Sequence, residues 1–510
     1  MAKILDYSYH HLAFRLNIGE NDFSKYEPYF NGLKLPEYIE EPNAEKLLDN
    51  ERALYHELSH YYQDIYFPAC ICERELKINI LADYVQNASG KSHNNKKHNK
   101  RRELFDYLFM TKYCDDNLYS LSKNDEGIDF WAISYKDLLE SYADIRASKT
   151  VFDAYRNEDE QIKDFIRNYI LKRKLFHYDL DDNQLTTRLG DLDRTYAICK
   201  HVFLTLFSAA NSRFCFNDSL NSFNRIKVDL ANAFSSEKDE RLFNLARNLD
   251  IFLLFCIEFA LTLPSASFIE KSIEEGKDKR MFHPGCRFYS LIALILSYPD
   301  TFNDLDFSAN YVEVFDQISE ACGLYKYEDV VKSLTYPNSP FSVIRHSHNL
   351  RLKETINVKI ENRCNIDIMT FFKKTGNPII LWGASSQYVY VGDGNDKFDS
   401  FHYRGLDSDY AIQYLFSDVE RMYNEFFGTN YNPKELKSMI NIWFLQESSA
   451  FFLLNRCANS FLSKKKDEEI CLLDCDYKSN DCLLFNIVSR KKNIQCDLTK
   501  LIERFAILNK

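Results

Sequence analysis

The chain has 510 residues, a net charge of -11 at neutral pH and a globular balance of 45% hydrophobic to 27% charged residues. That length allows two to three domains around a large core, while the acidic balance argues against general nucleic-acid binding, which needs concentrated Lys and Arg. With 40 Phe and 33 Tyr against only 14 Gly and 11 Pro, obligatory breaks are few, and the expected fold class is mainly α with a small β component.

The opening residues, Met1-Ala2-Lys3-Ile4-Leu5, lack the apolar run of a secretory signal. The 14 Cys are scattered without a disulfide framework, so free thiols in a reducing compartment and a cytoplasmic location are expected. The most apolar stretch, Ile251 to Leu263, is too short to span a bilayer and carries Glu258, which predicts a buried helix and no membrane partner.

In chain order, residues 11–18 alternate weakly and predict an edge strand. Asn43 is placed to cap a helix that starts at Ala44 and runs to about Tyr66, where Pro68 ends or kinks it. A second helix is expected over Glu73–Val85. The run 88–102 (ASGKSHNNKKHNKRR) is polar, basic and free of interleaved aromatics, which reads as a solvated loop insertion rather than a binding segment. Asp129–Tyr135 predicts a short strand, with Ser134 or Asp137 capping a helix through Asp144. Further helices are expected near 158–176, 191–211, 239–263, 286–297, 409–427 and 433–459. Residues 377–404 are rich in β-formers around the turn signal Gly392-Asp393-Gly394-Asn395 and predict a hairpin. A weak boundary at about 270–285 divides the chain into residues 1–270, with the basic run as an insertion, and a helical and mixed part at 271–510.

The segment with the clearest chemistry is His56-Glu57-Leu58-Ser59-His60. On a helix His56 and His60 stand one turn apart on the same face and can grip one metal ion. Two imidazoles, a third ligand and an open position for water make a catalytic zinc site. Zinc lowers the pKa of bound water to about 7, and Glu57 is placed to take its proton as general base. The competing reading is a polar patch on a core helix.

The motif resembles that of the gluzincin metallopeptidases, in which the third ligand is a Glu on a later helix. Glu140-Ser141-Tyr142-Ala143-Asp144 is similar to the arrangement of their thermolysin-like branch. The resemblance implies a zincin-like core set in a large helical scaffold, Zn2+ held by His56, His60 and Glu140, and Asp144 supporting an imidazole. The separation from His60 is long for that class, and the basic run accounts for much of it. Glu447, in Glu447-Ser448-Ser449-Ala450, is an alternative third ligand, but Phe451 stands where the supporting Asp belongs. His60-Tyr61-Tyr62-Gln63 also resembles poorly characterised bacterial proteins with Gln three residues after the second His; there Gln63 would contact substrate or the site wall. Tyr66 stands where a metzincin has its third His, which excludes that branch.

An oxyanion donor is also needed. His283, in the turn His283-Pro284-Gly285, is one candidate, with Arg287, His346 and His348 as others. The spacing of Cys471, Cys475, Cys482 and Cys496 departs from paired zinc knuckles. No phosphate-cradling glycine loop or G-x-S-x-G elbow is present. The expected activity is zinc-dependent hydrolysis of a specific protein or peptide partner. The alternatives are a non-catalytic interaction protein that retains the helix motif and a hydrolase of a non-peptide amide or ester.

Overall fold

The computed structural model describes residues 7–10, 15–18, 29–30, 39–40, 42–88, 95–113, 132–155, 158–173, 198–199, 202, 240–297, 311–334, 367–375, 379–382, 386–392 and 397–404. The expected helices at 409–427 and 433–459, nearly all of 191–211, and the Cys471–Cys496 group lie outside them.

Helices dominate. They are α1 (Ala44–Tyr66), α2 (Pro68–Ala88), α3 (Asn95–Phe105), α4 (Tyr135–Tyr155), α5 (Glu160–Arg173), α6 (Glu240–Leu261), α7 (Ala266–Glu274), α8 (Pro284–Ser297), α9 (Tyr311–Ala321), α10 (Tyr327–Ser333) and α11 (Ile368–Thr375). The strands are β1 (Tyr7–His10), β2 (Arg15–Ile18), β3 (Lys112–Tyr113), β4 (Ile133–Ser134), β5 (Ile379–Trp382), β6 (Ser386–Gly392) and β7 (Phe398–Arg404). One sheet has the order β1-β2-β5-β6-β7, antiparallel except where β2 runs parallel to β5 with Leu16 opposite Leu381. The expected hairpin is β6–β7, with Gly392 paired to Phe398, and β1 adds a strand that the sequence pattern did not mark. β3 and β4 form a separate two-stranded ribbon.

Local chemistry sets the helix ends. Phe67, held extended at ψ 123 by the ring of Pro68, closes α1, and Pro68 then opens α2 without losing a hydrogen bond that it could have made. Asn43 occupies the position before α1, but its side chain makes no cap hydrogen bond. Ser134 and Asp137 cap α4 together: Ser134 N–H donates to Asp137 Oδ2 at 2.8 Å, and Asp137 N–H donates to Ser134 Oγ at 3.2 Å.

The basic run departs from expectation. Residues 95–102 are not a loop but the first turns of α3, which continues into a π-helical turn over Asp106–Met110. Lys and Arg are good helix formers, and this helix is held by Arg101 forking onto Glu270 of α7 at 2.8 and 3.3 Å, with Leu104 and Phe105 against the core.

Buried residues from α1, α2, α4, α6, α8, α9, α11 and the sheet belong to one hydrophobic cluster. It continues across the 270–285 stretch, where Phe259 of α6 meets Phe315 of α9 with ring centroids 4.9 Å apart. The apolar stretch 251–263 falls mostly within α6 and is buried; Glu258 is tolerated there because Tyr142 Oη donates to it at 2.6 Å. Among the described residues no single helix is long and apolar enough to cross a membrane. Cys70, Cys72, Cys199, Cys256, Cys286 and Cys322 are free thiols.

Candidate metal centre

The site lies on the seam between α1 and α4. Contacts along it run in opposite sequence order, Gln63 to Leu139, His60 to Glu140, Arg52 to Asp144, so the helices are antiparallel. Aromatic packing fixes α1 from its other sides: Tyr61 stacks on Phe372 at 5.1 Å, and Tyr62 meets Phe371 edge-on at 4.8 Å.

His56, His60 and Glu140 come together although the second and third are 80 positions apart in the sequence. His60 Nε2 is 3.2 Å from His56 Nε2 and 3.2 Å from Glu140 Oε2, and His56 Nε2 is 3.4 Å from the same carboxylate oxygen. Their side chains are 13%, 5% and 16% exposed, so solvent reaches the cluster from the His56 and Glu140 side. Burial alone opposes ionisation of Glu140. When the two imidazoles are protonated and no metal is bound, hydrogen bonds and charge from His56 and His60 override it and hold the carboxyl far below the ordinary carboxylate range.

Gln63 determines what these atoms can be. Its side chain is fully buried, with Nε2 donating to the backbone oxygen of Leu139 at 2.7 Å and Oε1 2.9 Å from His60 Nδ1. A backbone carbonyl only accepts, so the amide nitrogen must face Leu139 and the amide oxygen must face the ring. Nδ1–H of His60 therefore donates to Gln63, and in the neutral ring Nε2 carries only a lone pair. That lone pair points at a carboxylate oxygen and a second imidazole nitrogen. With the proton of His56 on its Nδ1, three acceptors meet here, an arrangement that a cation between them satisfies.

The group can hold a metal ion. Metal–ligand bonds of about 2.0–2.1 Å place neighbouring ligands of a tetrahedral centre about 3.3 Å apart, and the three observed separations are 3.2, 3.2 and 3.4 Å. The ligand separations thus fit a small tetrahedral cation.

The other expected residues fall as follows. Glu57 is half-buried beside His56 on α1. Asp144 is buried one turn beyond Glu140, and its Oδ1 accepts from Arg52 Nη1 at 2.7 Å. Nδ1 of His60 is braced by Gln63, which is fully enclosed and so touches no substrate. The sequence signal for this was available: Gln63 lies three residues from His60 and seven from His56, on the ligand face of the helix.

His283 is not brought to this cluster. It is 1% exposed and caps α8, its Nδ1 accepting from the N–H groups of Gly285 at 3.1 Å and Cys286 at 3.4 Å, with Nε2 3.4 Å from Thr111 Oγ1. A ring enclosed in this way cannot meet an oxyanion. Arg287 is likewise buried, donating to the carbonyls of Phe259 and Thr262 at the end of α6. Glu447, His346 and His348 lie outside the described residues. No protein-family model, curated protein or solved structure matches the chain.

Proposed function

We propose that the protein is a zinc-dependent hydrolase and, within that class, a peptidase acting on a specific protein partner. The observation that supports this is the meeting of three possible ligand atoms, His56 Nε2, His60 Nε2 and Glu140 Oε2, at the spacing of tetrahedral ligands. A zinc ion there supplies Lewis acidity, which polarises a carbonyl and acidifies water. Two neutral imidazoles and one carboxylate leave a dication with net positive charge, so the ligand set does not quench that acidity. Glu57 is adjacent to the ligand His56 without being needed as a ligand, which suits a base that accepts a proton from water and returns it to the leaving amine. The restriction to peptides rests on the resemblance of the helix motif to that of metallopeptidases.

Elemental analysis tests the centre. The expected result is about one zinc per chain in the unmodified protein, lost in His60→Ala, weakened in Glu140→Ala and retained in Glu57→Gln. Mass spectrometry of a peptide library incubated with zinc-loaded protein tests the activity. Cleavage that drops about 10²–10⁴-fold in Glu57→Gln supports a base at that position. No zinc in the purified protein and no uptake on addition would instead make the helix motif a structural element of an interaction protein.

A further inference from the structure

Gln63 makes two bonds of opposite sense, one as acceptor and one as donor. One end accepts from the ring of a metal-ligand candidate, and the other donates to the backbone carbonyl of Leu139, the residue before Glu140. A carboxylate at this position would serve the ring but repel the carbonyl, an apolar side chain would serve neither, and a hydroxyl is too short to span both. The amide is fully enclosed, so both bonds lie in a low-dielectric interior where a polar group left unmatched is costly.

We propose that Gln63 is a positioning residue of the metal centre. It holds His60 in the tautomer that presents Nε2 to the ion, and it ties that ring to the helix carrying Glu140, so that one side chain sets both the orientation of a ligand and the spacing of the two helices at the ligand layer. This inference rests on the zinc reading above. The partner that orients a ligating imidazole is commonly a carboxylate, which makes the ring more basic. A neutral amide gives the orientation without that added electron donation. The design thus keeps the ion electrophilic, at some expense in affinity, and recovers affinity through rigidity: with Gln63, Glu140 and both imidazoles prepositioned, little has to be ordered when the ion enters.

The test compares unmodified protein, Gln63→Met and Gln63→Glu in zinc affinity, by competition with a chromophoric chelator, and in thermal stability without zinc. Met has the length of Gln and neither bond; zinc affinity is expected to fall 10- to 100-fold. Glu keeps an acceptor for Nδ1–H but faces the Leu139 carbonyl. It is expected to bind zinc more tightly than the Met variant even though its zinc-free form is the less stable of the two. That crossing of the two orders is the signature of positioning, because a purely structural residue would make zinc affinity follow stability through the series. Zinc binding unchanged in Gln63→Met, or affinities that rank with stability, would overturn the role of Gln63 and leave the centre intact. Failure of the unmodified protein to bind zinc would overturn the centre itself, and this inference with it.

Discussion

Glu51 lies on α1 five residues before His56, 1% exposed, with a phenol on each carboxylate oxygen: Tyr55 Oη donates to Oε1 at 2.5 Å and Tyr155 Oη to Oε2 at 2.8 Å. Burial outweighs these two hydrogen bonds and, with the charge of Asp367 nearby, raises its pKa to about 7. An acid whose pKa is raised on folding stabilises the fold fully below its unfolded value, near 4.5, and that contribution is lost as pH rises through about 7. The difference of some two to three pH units corresponds to roughly 3 kcal/mol. Urea unfolding of the zinc-free protein at pH 5 and pH 8 should therefore show a loss at the higher pH that Glu51→Gln largely removes. Parallel pH dependence in the two proteins would mean that the carboxyl is already ionised at pH 5.

At the scale of elements, β4 and the start of α8 meet at Gly285. A Cβ built there would lie 2.5 Å from the backbone oxygen of Ile133, and backbone has no side chain to swing away. The same turn carries His283, whose burial lowers its pKa to about 4, so that at neutral pH Nδ1 remains an acceptor for the N–H groups opening α8. Gly285→Ala should accordingly cost about 1–3 kcal/mol, the range for overpacking, measured as a lower urea midpoint. An unchanged midpoint would show that β4 can retreat from α8 without cost.

This corner also shows what the sequence made legible. His283-Pro284-Gly285 announces a turn feeding a helix, and that is what forms. Whether the ring faces a cleft or the helix it caps depends on packing against Thr111, Tyr107 and Tyr113, which lie about 170 residues away and leave no local trace. The helices themselves were readable because their punctuation is local: Pro68 after α1, and the reciprocal Ser134–Asp137 cap before α4. The basic run misled because charge without periodicity resembles a solvated loop, whereas the Arg101–Glu270 ion pair that anchors α3 spans 169 residues. Asp144, which the resemblance implies as an imidazole support, also pairs with Arg52 and so links the two helices.

For the whole molecule, the decisive feature is that the centre is divided between two helices. His56 and His60 are a local pair, formed as soon as α1 forms. Glu140 joins them only when α4 packs antiparallel against α1, after the chain has passed through α2, α3 and the β3–β4 ribbon. A complete three-ligand site is thus a property of the folded chain, and an ion that binds it must stabilise that fold over the open one. Zinc at about 100 times its dissociation constant should add about 2.7 kcal/mol, seen as an upward shift of the unfolding temperature that a chelator reverses and that His60→Ala abolishes. Because the third ligand lies on the second helix, Glu140→Ala should lose most of that shift as well, even where residual zinc still binds the two imidazoles. A full shift in Glu140→Ala would show that the local His pair, already present in partly unfolded chains, carries the binding, and that the packing of α4 against α1 contributes nothing to it.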